Sequence, residues 1–168
     1  ADVYFHSDGV QTTGKIPVNV RTLKVDLYSI SAHKIHGPKG VGALFVKKGT
    51  VLKPAMTGGG HERNRRPGTE NVAGIAGFGE AARLAREELS IEMPRVRQMR
   101  DRLEAGLKSR IELIHVSGEN APRLPNTSNV MVDYAEGEGL VISLDLKGVA
   151  VSTGSACTSG TLEPSHVL

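Results

Sequence analysis

Lys34, Asp8 and Cys157 are the side chains of this sequence whose types and settings suit covalent chemistry. Lys34 lies in Ser31-Ala32-His33-Lys34-Ile35-His36-Gly37-Pro38-Lys39-Gly40, where a short apolar segment gives way to a Gly/Pro turn. Read as a strand end, that position holds a lysine rigidly and partly out of water. Burial disfavours an ammonium, and the neutral amine is the form that condenses with an aldehyde. An ordinary solvated lysine is the competing reading, and Lys39, inside the turn and expected to be exposed, is the competing amine. Ser31 and His33 favour Lys34, because both offer hydrogen bonds to an anion such as phosphate beside it.

Asp8 occupies Phe5-His6-Ser7-Asp8-Gly9-Val10-Gln11, at a junction of strand and loop. An aspartate there commonly caps a turn. Its functional alternative is to pair with a protonated pyridine nitrogen, which keeps such a ring an electron sink. Gln11 is placed to hydrogen-bond a ring oxygen, although spacing alone assigns neither role. Cys157 stands between Gly154-Ser155-Ala156 and Thr158-Ser159-Gly160. A structural cysteine usually sits among apolar residues, whereas small polar neighbours predict a mobile, accessible loop. Such a loop suits a thiol that visits a buried cofactor and an outside acceptor, and it is equally compatible with an incidental thiol. Taken together, these residues suggest a pyridoxal-phosphate enzyme of sulfur chemistry.

The elements that must position them belong to a chain of 168 residues with 39% hydrophobic and 23% charged residues, the profile of a globular protein with a real core. No apolar run is long enough to span a bilayer and no signal-peptide pattern opens the chain, so a cytoplasmic location is expected. A single cysteine excludes an internal disulfide and disfavours a thiolate metal site, so no metal is expected. Net charge is +3 with a pI near 9.1, and Arg63, Arg65 and Arg66 form the densest basic cluster. Aromatic residues are only 4% and tryptophan is missing, which argues against a stacking surface for nucleic acid.

Strands are expected at Val3–His6, Leu27–Ala32 and Val41–Val46, the last with the composition of a strand packed in an α/β core. Met56 to Thr69 carries three consecutive glycines and no periodicity, so it reads as a loop. Small and apolar residues recur at helical spacing from about Glu70 to Leu89. Pro94 fits either the first turn of a second helix or a kink in one long helix running on through Leu107. Further on, Glu112–Val116 and Ser128–Val132 read as strands, Gly139–Leu146 as a helix and Val149–Thr153 as another strand. The pattern predicts an α/β chain in two regions, residues 1–92 and 93–168. Both ends look cut, and the chain reads as an interior piece of a longer protein.

Four segments carry a resemblance to a known family: F-H-S-D-G-V-Q, S-I-S-A-H-K-I-H-G-P-K-G-V-G-A-L-F-V, G-G-G-H-E-R-N-R-R-P-G-T-E-N and G-S-A-C-T-S-G-T-L-E-P-S-H-V-L. In order and spacing the chain resembles the NifS/IscS-type cysteine desulfurases, pyridoxal-phosphate enzymes of fold type I. The resemblance implies the C-terminal part of the large cofactor-binding domain, followed by part of the small α/β domain with the cysteine loop. It implies that Lys34 forms the Schiff base with the cofactor and shuttles a proton. Asp8 would hold the pyridinium, Gln11 the ring oxygen, and Ser31 and His33 the phosphate, while Thr69 would reach a partner subunit's phosphate in a homodimer. Cys157 would take sulfur from L-cysteine, leaving L-alanine and a persulfide for an acceptor protein such as an iron–sulfur scaffold. Gly9 stands where the family usually has alanine, a change expected to loosen the turn. Family members are much longer, and their remaining ring-stacking, phosphate and carboxylate ligands are absent here, so the isolated segment is expected to be inactive.

Three rival readings remain at this level. The first is another fold-type-I pyridoxal enzyme: a plain aminotransferase needs no nucleophile besides its lysine, which Cys157 argues against, while for a selenocysteine lyase the sequence leaves selenocysteine open as a substrate. A non-enzymatic module that binds sulfur-acceptor proteins would lack a lysine-bound cofactor. Nucleic-acid binding through the arginine-rich loop would show a steep salt dependence.

Overall fold

The computed structural model describes residues 3–154, so Cys157 and its loop lie outside the described residues. The chain divides into two compact units, Ala1–Pro94 and Arg95–Leu168. Among the described residues no helix is long and apolar enough to cross a membrane.

The first unit is built on a three-stranded sheet of order β1-β2-β3, with β1 at His6–Asp8, β2 at Leu27–Ser31 and β3 at Gly42–Val46. β1 and β2 run parallel with Asp8 opposite Ser29, and β3 returns antiparallel with Gly42 opposite Ser31. A parallel pair needs a crossover. It is supplied by the turn after Asp8 and by α1 at Val20–Leu23, a short helix that periodicity did not announce. Asn19 caps α1, its side-chain oxygen accepting from Arg21 N at 2.9 Å and Thr22 N at 3.4 Å.

The first strand starts later than expected. Phe5 turns its N–H to Asp26 Oδ2 at 3.0 Å and its carbonyl to Asp26 N at 2.8 Å. That tie, to a residue 21 positions along the chain, holds Val3–Phe5 out of the strand, and β1 ends on Asp8 itself. β3 also departs from the expected core strand: Gly42, Ala43, Leu44 and Phe45 are exposed, because β3 is an edge paired only with β2.

The loop from Met56 contains α2, a single turn at His61–Asn64 in which Glu62 and Arg63 have left-handed backbone. Asn71 then caps α3, Val72–Lys108, by accepting from Gly74 N at 3.0 Å. α3 is one helix of 37 residues that includes Pro94, so of the two alternatives at the proline the single long helix is the one formed. The core of the first unit joins Ala32 and Ile35 to Phe78 and Ala81 of α3, flanked by Ile30, Val41 and Ala85. Close approach is obligatory there. A Cβ on Gly77 would stand 2.7 Å from Pro38 Cγ, and one on Gly37 would stand 3.1 Å from Ala81 Cβ.

In the second unit the end of α3 carries Glu104, 6% exposed. Its carboxylate accepts both guanidinium nitrogens of Arg123, at 2.8 and 2.9 Å, and the hydroxyl of Ser128 at 2.8 Å. The Arg123 guanidinium holds the Glu104 carboxyl below the ordinary glutamate range, with Ser128 acting in the same direction against burial. Arg100 adds a bond to Leu124 O at 2.8 Å, fixing the segment around buried Pro125. β4 at Ile114–Val116 and β5 at Val130–Val132 form an antiparallel pair, and α4 spans Gly137–Asp145. Val149–Thr153 is not a strand. The Val149 N–H returns to Leu144 O at 2.9 Å, so the chain wraps the end of α4 instead of finding a sheet neighbour.

Candidate active site

Asp8 is the last residue of β1 and Ser31 the last of β2, so the parallel pairing brings both to the same carboxyl edge of the sheet. Ligands of open α/β sheets bind at that edge. The register places Asp8, Ser29 and Ser31 on one face, since paired residues of parallel strands point the same way and alternate residues share a side. Lys34 is not at the strand end, as its setting had predicted. It is the third residue of a 3₁₀ turn, Ala32–Ile35, that begins at once after β2. The turn is anchored by buried Ala32 and Ile35, which leaves Lys34 half-buried and His33 exposed. His36 closes it in left-handed backbone at φ 65°, and the Gly37 N–H reaches back to Ala32 O at 2.9 Å. Lys39 is exposed beyond the turn, as expected.

The polar atoms at this edge are sorted into used and available. Asp8 Oδ1 accepts the Val10 N–H at 2.9 Å, which is the turn-capping role, while Oδ2 has no partner among the described residues. Ser31 Oγ and His33 Nδ1 are 2.8 Å apart, a bond that orients the imidazole and leaves Nε2 outward. The Lys34 amine makes no hydrogen bond or ion pair to a described residue, whereas its carbonyl accepts the Lys15 ammonium at 3.0 Å. Gln11 is exposed in the turn that follows Asp8. Thr69 is exposed in the loop before α3 and makes no hydrogen bond to a described residue.

The free donor set fits a phosphorylated pyridine aldehyde such as pyridoxal phosphate: an unpaired amine, a carboxylate oxygen for a pyridinium N–H, and a hydroxyl–imidazole pair for phosphate. The turn holding Gln11 is not loosened by glycine at position 9. The Gly9 carbonyl accepts four donors, Thr12 N, Thr13 N and both threonine hydroxyls, at 2.9–3.1 Å. The space an alanine would need is filled by Tyr28, whose Cζ would lie 1.9 Å from the added Cβ and whose hydroxyl is 2.6 Å from Thr12 Oγ1. Sequence reading also passed over His6 and Ser29, bonded at 2.8 Å on the Asp8 face. The alternation of His6 and Asp8 along one strand was the available signal.

The aminotransferase class-V family model matches residues 1–168. A cysteine desulfurase of Gluconacetobacter diazotrophicus is 54% identical over 168 residues, covering 100% of this chain and 42% of that protein. The cysteine desulfurase IscS of Dictyoglomus turgidum is 54% identical over 167 residues, 99% of this chain and 42% of that one. Among solved structures, a NifS-like protein from Rickettsia africae superposes with a TM-score of 0.86 at 36% identity, covering 95% of this chain and 45% of that chain. The expected NifS/IscS likeness and the fold-type-I architecture are both borne out by these matches. The chain spans about two fifths of the length of the curated relatives it matches. By motif, sheet edge and whole-length match, it belongs to the aminotransferase class-V family.

Proposed function

We propose that the full-length protein is a pyridoxal-phosphate-dependent cysteine desulfurase, which removes sulfur from L-cysteine and holds it as a persulfide on Cys157. The observation that carries this reading is the Lys34 amine, without a partner among the described residues, on a turn at the carboxyl edge of β1 and β2, the edge that also carries Asp8 and the Ser31–His33 pair. The names of the relatives support the choice of reaction. When bound, the cofactor supplies an electron sink for bond changes at the substrate's carbons. Lys34 Nζ would hold the cofactor's aldehyde carbon and, once displaced by substrate, move a proton. Asp8 Oδ2 would accept the pyridinium N–H, Gln11 would reach the ring oxygen, and Ser31 Oγ and His33 Nε2 would orient the phosphate. The Cys157 thiolate would attack the substrate sulfur. The carbon–sulfur electron pair returns to the substrate carbon, which takes up a proton to give alanine. Thr69, from the exposed loop before α3, would serve the phosphate of a second subunit in a homodimer. An acceptor protein such as an iron–sulfur scaffold would then take the sulfur, in the cytoplasm.

Borohydride reduction of the full-length protein with its cofactor, followed by peptide mapping, should place the label on Lys34. Label on Lys39 and none on Lys34 would sink the assignment. In the same protein Cys157→Ser should keep the visible cofactor band and lose persulfide formation, because a hydroxyl is a far weaker nucleophile toward sulfur than a thiolate. Sulfide release at the parent rate in that variant would remove Cys157 from the reaction.

A further inference from the structure

We propose that Lys15 is a positioning residue for Lys34, its ammonium clamping the lysine-bearing turn to the turn that carries Gln11 and follows Asp8. The inference rests on the reading of Lys34 as the cofactor-holding amine. Its basis is the 3.0 Å bond from Lys15 Nζ to the carbonyl of Lys34. A 3₁₀ turn of four residues leaves carbonyls without backbone donors at its end. Here the capping N–H groups of His36 and Gly37 both go to Ala32 O, and no backbone N–H reaches Lys34 O. Lys15 alone among the described residues bonds that carbonyl.

Lys15 is itself held. Its N–H donates to Thr12 O at 3.0 Å, within the turn tied by four bonds to the Gly9 carbonyl. Its neighbour Gly14, at φ 75°, lies so close to the lysine turn that an added Cβ would stand 2.6 Å from Ile35 Cγ2. The two turns are therefore joined by a packing contact and by a charged hydrogen bond. Among the described residues no carboxylate pairs with Lys15, unlike Lys47 with Asp26 or Lys108 with Glu119. Its charge is directed at the backbone of the reactive lysine. A hydrogen bond made by a charged donor is shorter and stronger than a neutral one. Losing it frees the turn to shift relative to Asp8 and Gln11, and a small misplacement of a covalently held group is costly.

The test uses the full-length protein, with Lys15→Met, which keeps the stem and removes the donor, and Lys15→Arg, which keeps a cationic donor. Borohydride mapping to Lys34 in the parent establishes the underlying reading independently; label elsewhere would defeat that reading and the inference with it. Given label on Lys34, Lys15→Met is expected to stay labelled at Lys34 while its Kd for pyridoxal phosphate rises about tenfold or more. The ellipticity of its visible cofactor band per bound cofactor should change, since that signal reports placement in the site and not stability. Lys15→Arg should recover most of both. Parent-like affinity and ellipticity in Lys15→Met would overturn the proposal, as would equal losses in the two variants. If Lys15→Met does not fold, Lys15→Arg decides alone: parent-like binding supports the clamp, and a tenfold loss overturns it.

Discussion

Replacing Gly77 by alanine asks whether the turn bearing Lys34 is set by contact with α3. The added Cβ would stand 2.7 Å from Pro38 Cγ and 3.2 Å from Pro38 Cδ. Carbon atoms rest about 3.5–4.0 Å apart, so helix or ring must give by roughly 0.8 Å. The ring has little freedom to do so, because Pro38 follows Gly37, whose N–H is bonded to Ala32 O at 2.9 Å. Overpacking of this kind costs about 1–3 kcal/mol. Alanine for glycine inside a helix returns about 1 kcal/mol. Gly79 supplies the reference, since it lies in the same helix and a Cβ there meets nothing within 4 Å. The propensity gain is common to both substitutions, so their difference isolates the contact.

G79A should therefore stabilise the protein by about 1 kcal/mol, and G77A should fall below G79A by about 1–3 kcal/mol. Urea unfolding would read this as a shift in midpoint at constant m. In the full-length protein G77A should also bind cofactor more weakly than G79A, because displaced Pro38 is continuous with the turn that ends at Ile35. G77A as stable as G79A, with equal cofactor affinity, would refute the idea that this contact positions the lysine.

Glu104→Gln leaves the Arg123 guanidinium, 16% exposed, against a neutral partner, and unfolding should show a loss of about 3 kcal/mol; a loss within error would make the pair dispensable. Because the folded state holds the Glu104 carboxyl below its ordinary value of 4.5, the pair's stabilisation is complete above that pH and fades as pH falls through the lower folded value. Acid unfolding of the parent should accordingly be steeper with pH than that of Glu104→Gln, in which Asp26 and Glu80 still contribute. Asp8→Asn keeps an acceptor for the Val10 N–H but loses the charge, so the fold should persist while cofactor Kd rises about tenfold to a hundredfold; unchanged affinity would remove Asp8 from the site. Gly9→Ala should destabilise by about 2 kcal/mol or more by driving into the Tyr28 ring, and pairing it with Tyr28→Val should recover part of that, whereas strict additivity would disprove the contact.

The main strands and the long helix followed from periodicity, but some boundaries and one expected strand were decided by backbone hydrogen bonds that residue type does not announce. Val3–Phe5 carry strand-forming side chains, yet Asp26 claims the Phe5 backbone and β1 starts at His6. Val149–Thr153 has the same local look as β5, and it fails as a strand because its first N–H returns to Leu144. Pro94 left open whether there is one helix or two, because the missing N–H costs one bond that neighbouring turns can absorb.

The chemistry of the site was legible because it is written in contiguous segments. A lysine directly after a Ser-Ala-His segment, with an aspartate on another short strand, needs no tertiary information to be noticed. Which atoms of those residues remain available is another matter. Asp8 spends one oxygen on its own turn, His33 spends Nδ1 on Ser31, and Lys34 keeps its amine free while its carbonyl is taken by Lys15. The first two are settled within two residues of chain, whereas the third depends on the packing of one turn against another. Residue type and spacing specify which functional groups exist, while only folding in three dimensions specifies which of them a neighbour has already satisfied. Lys15, 19 residues from Lys34 and carrying no motif of its own, is the residue for which that difference is largest.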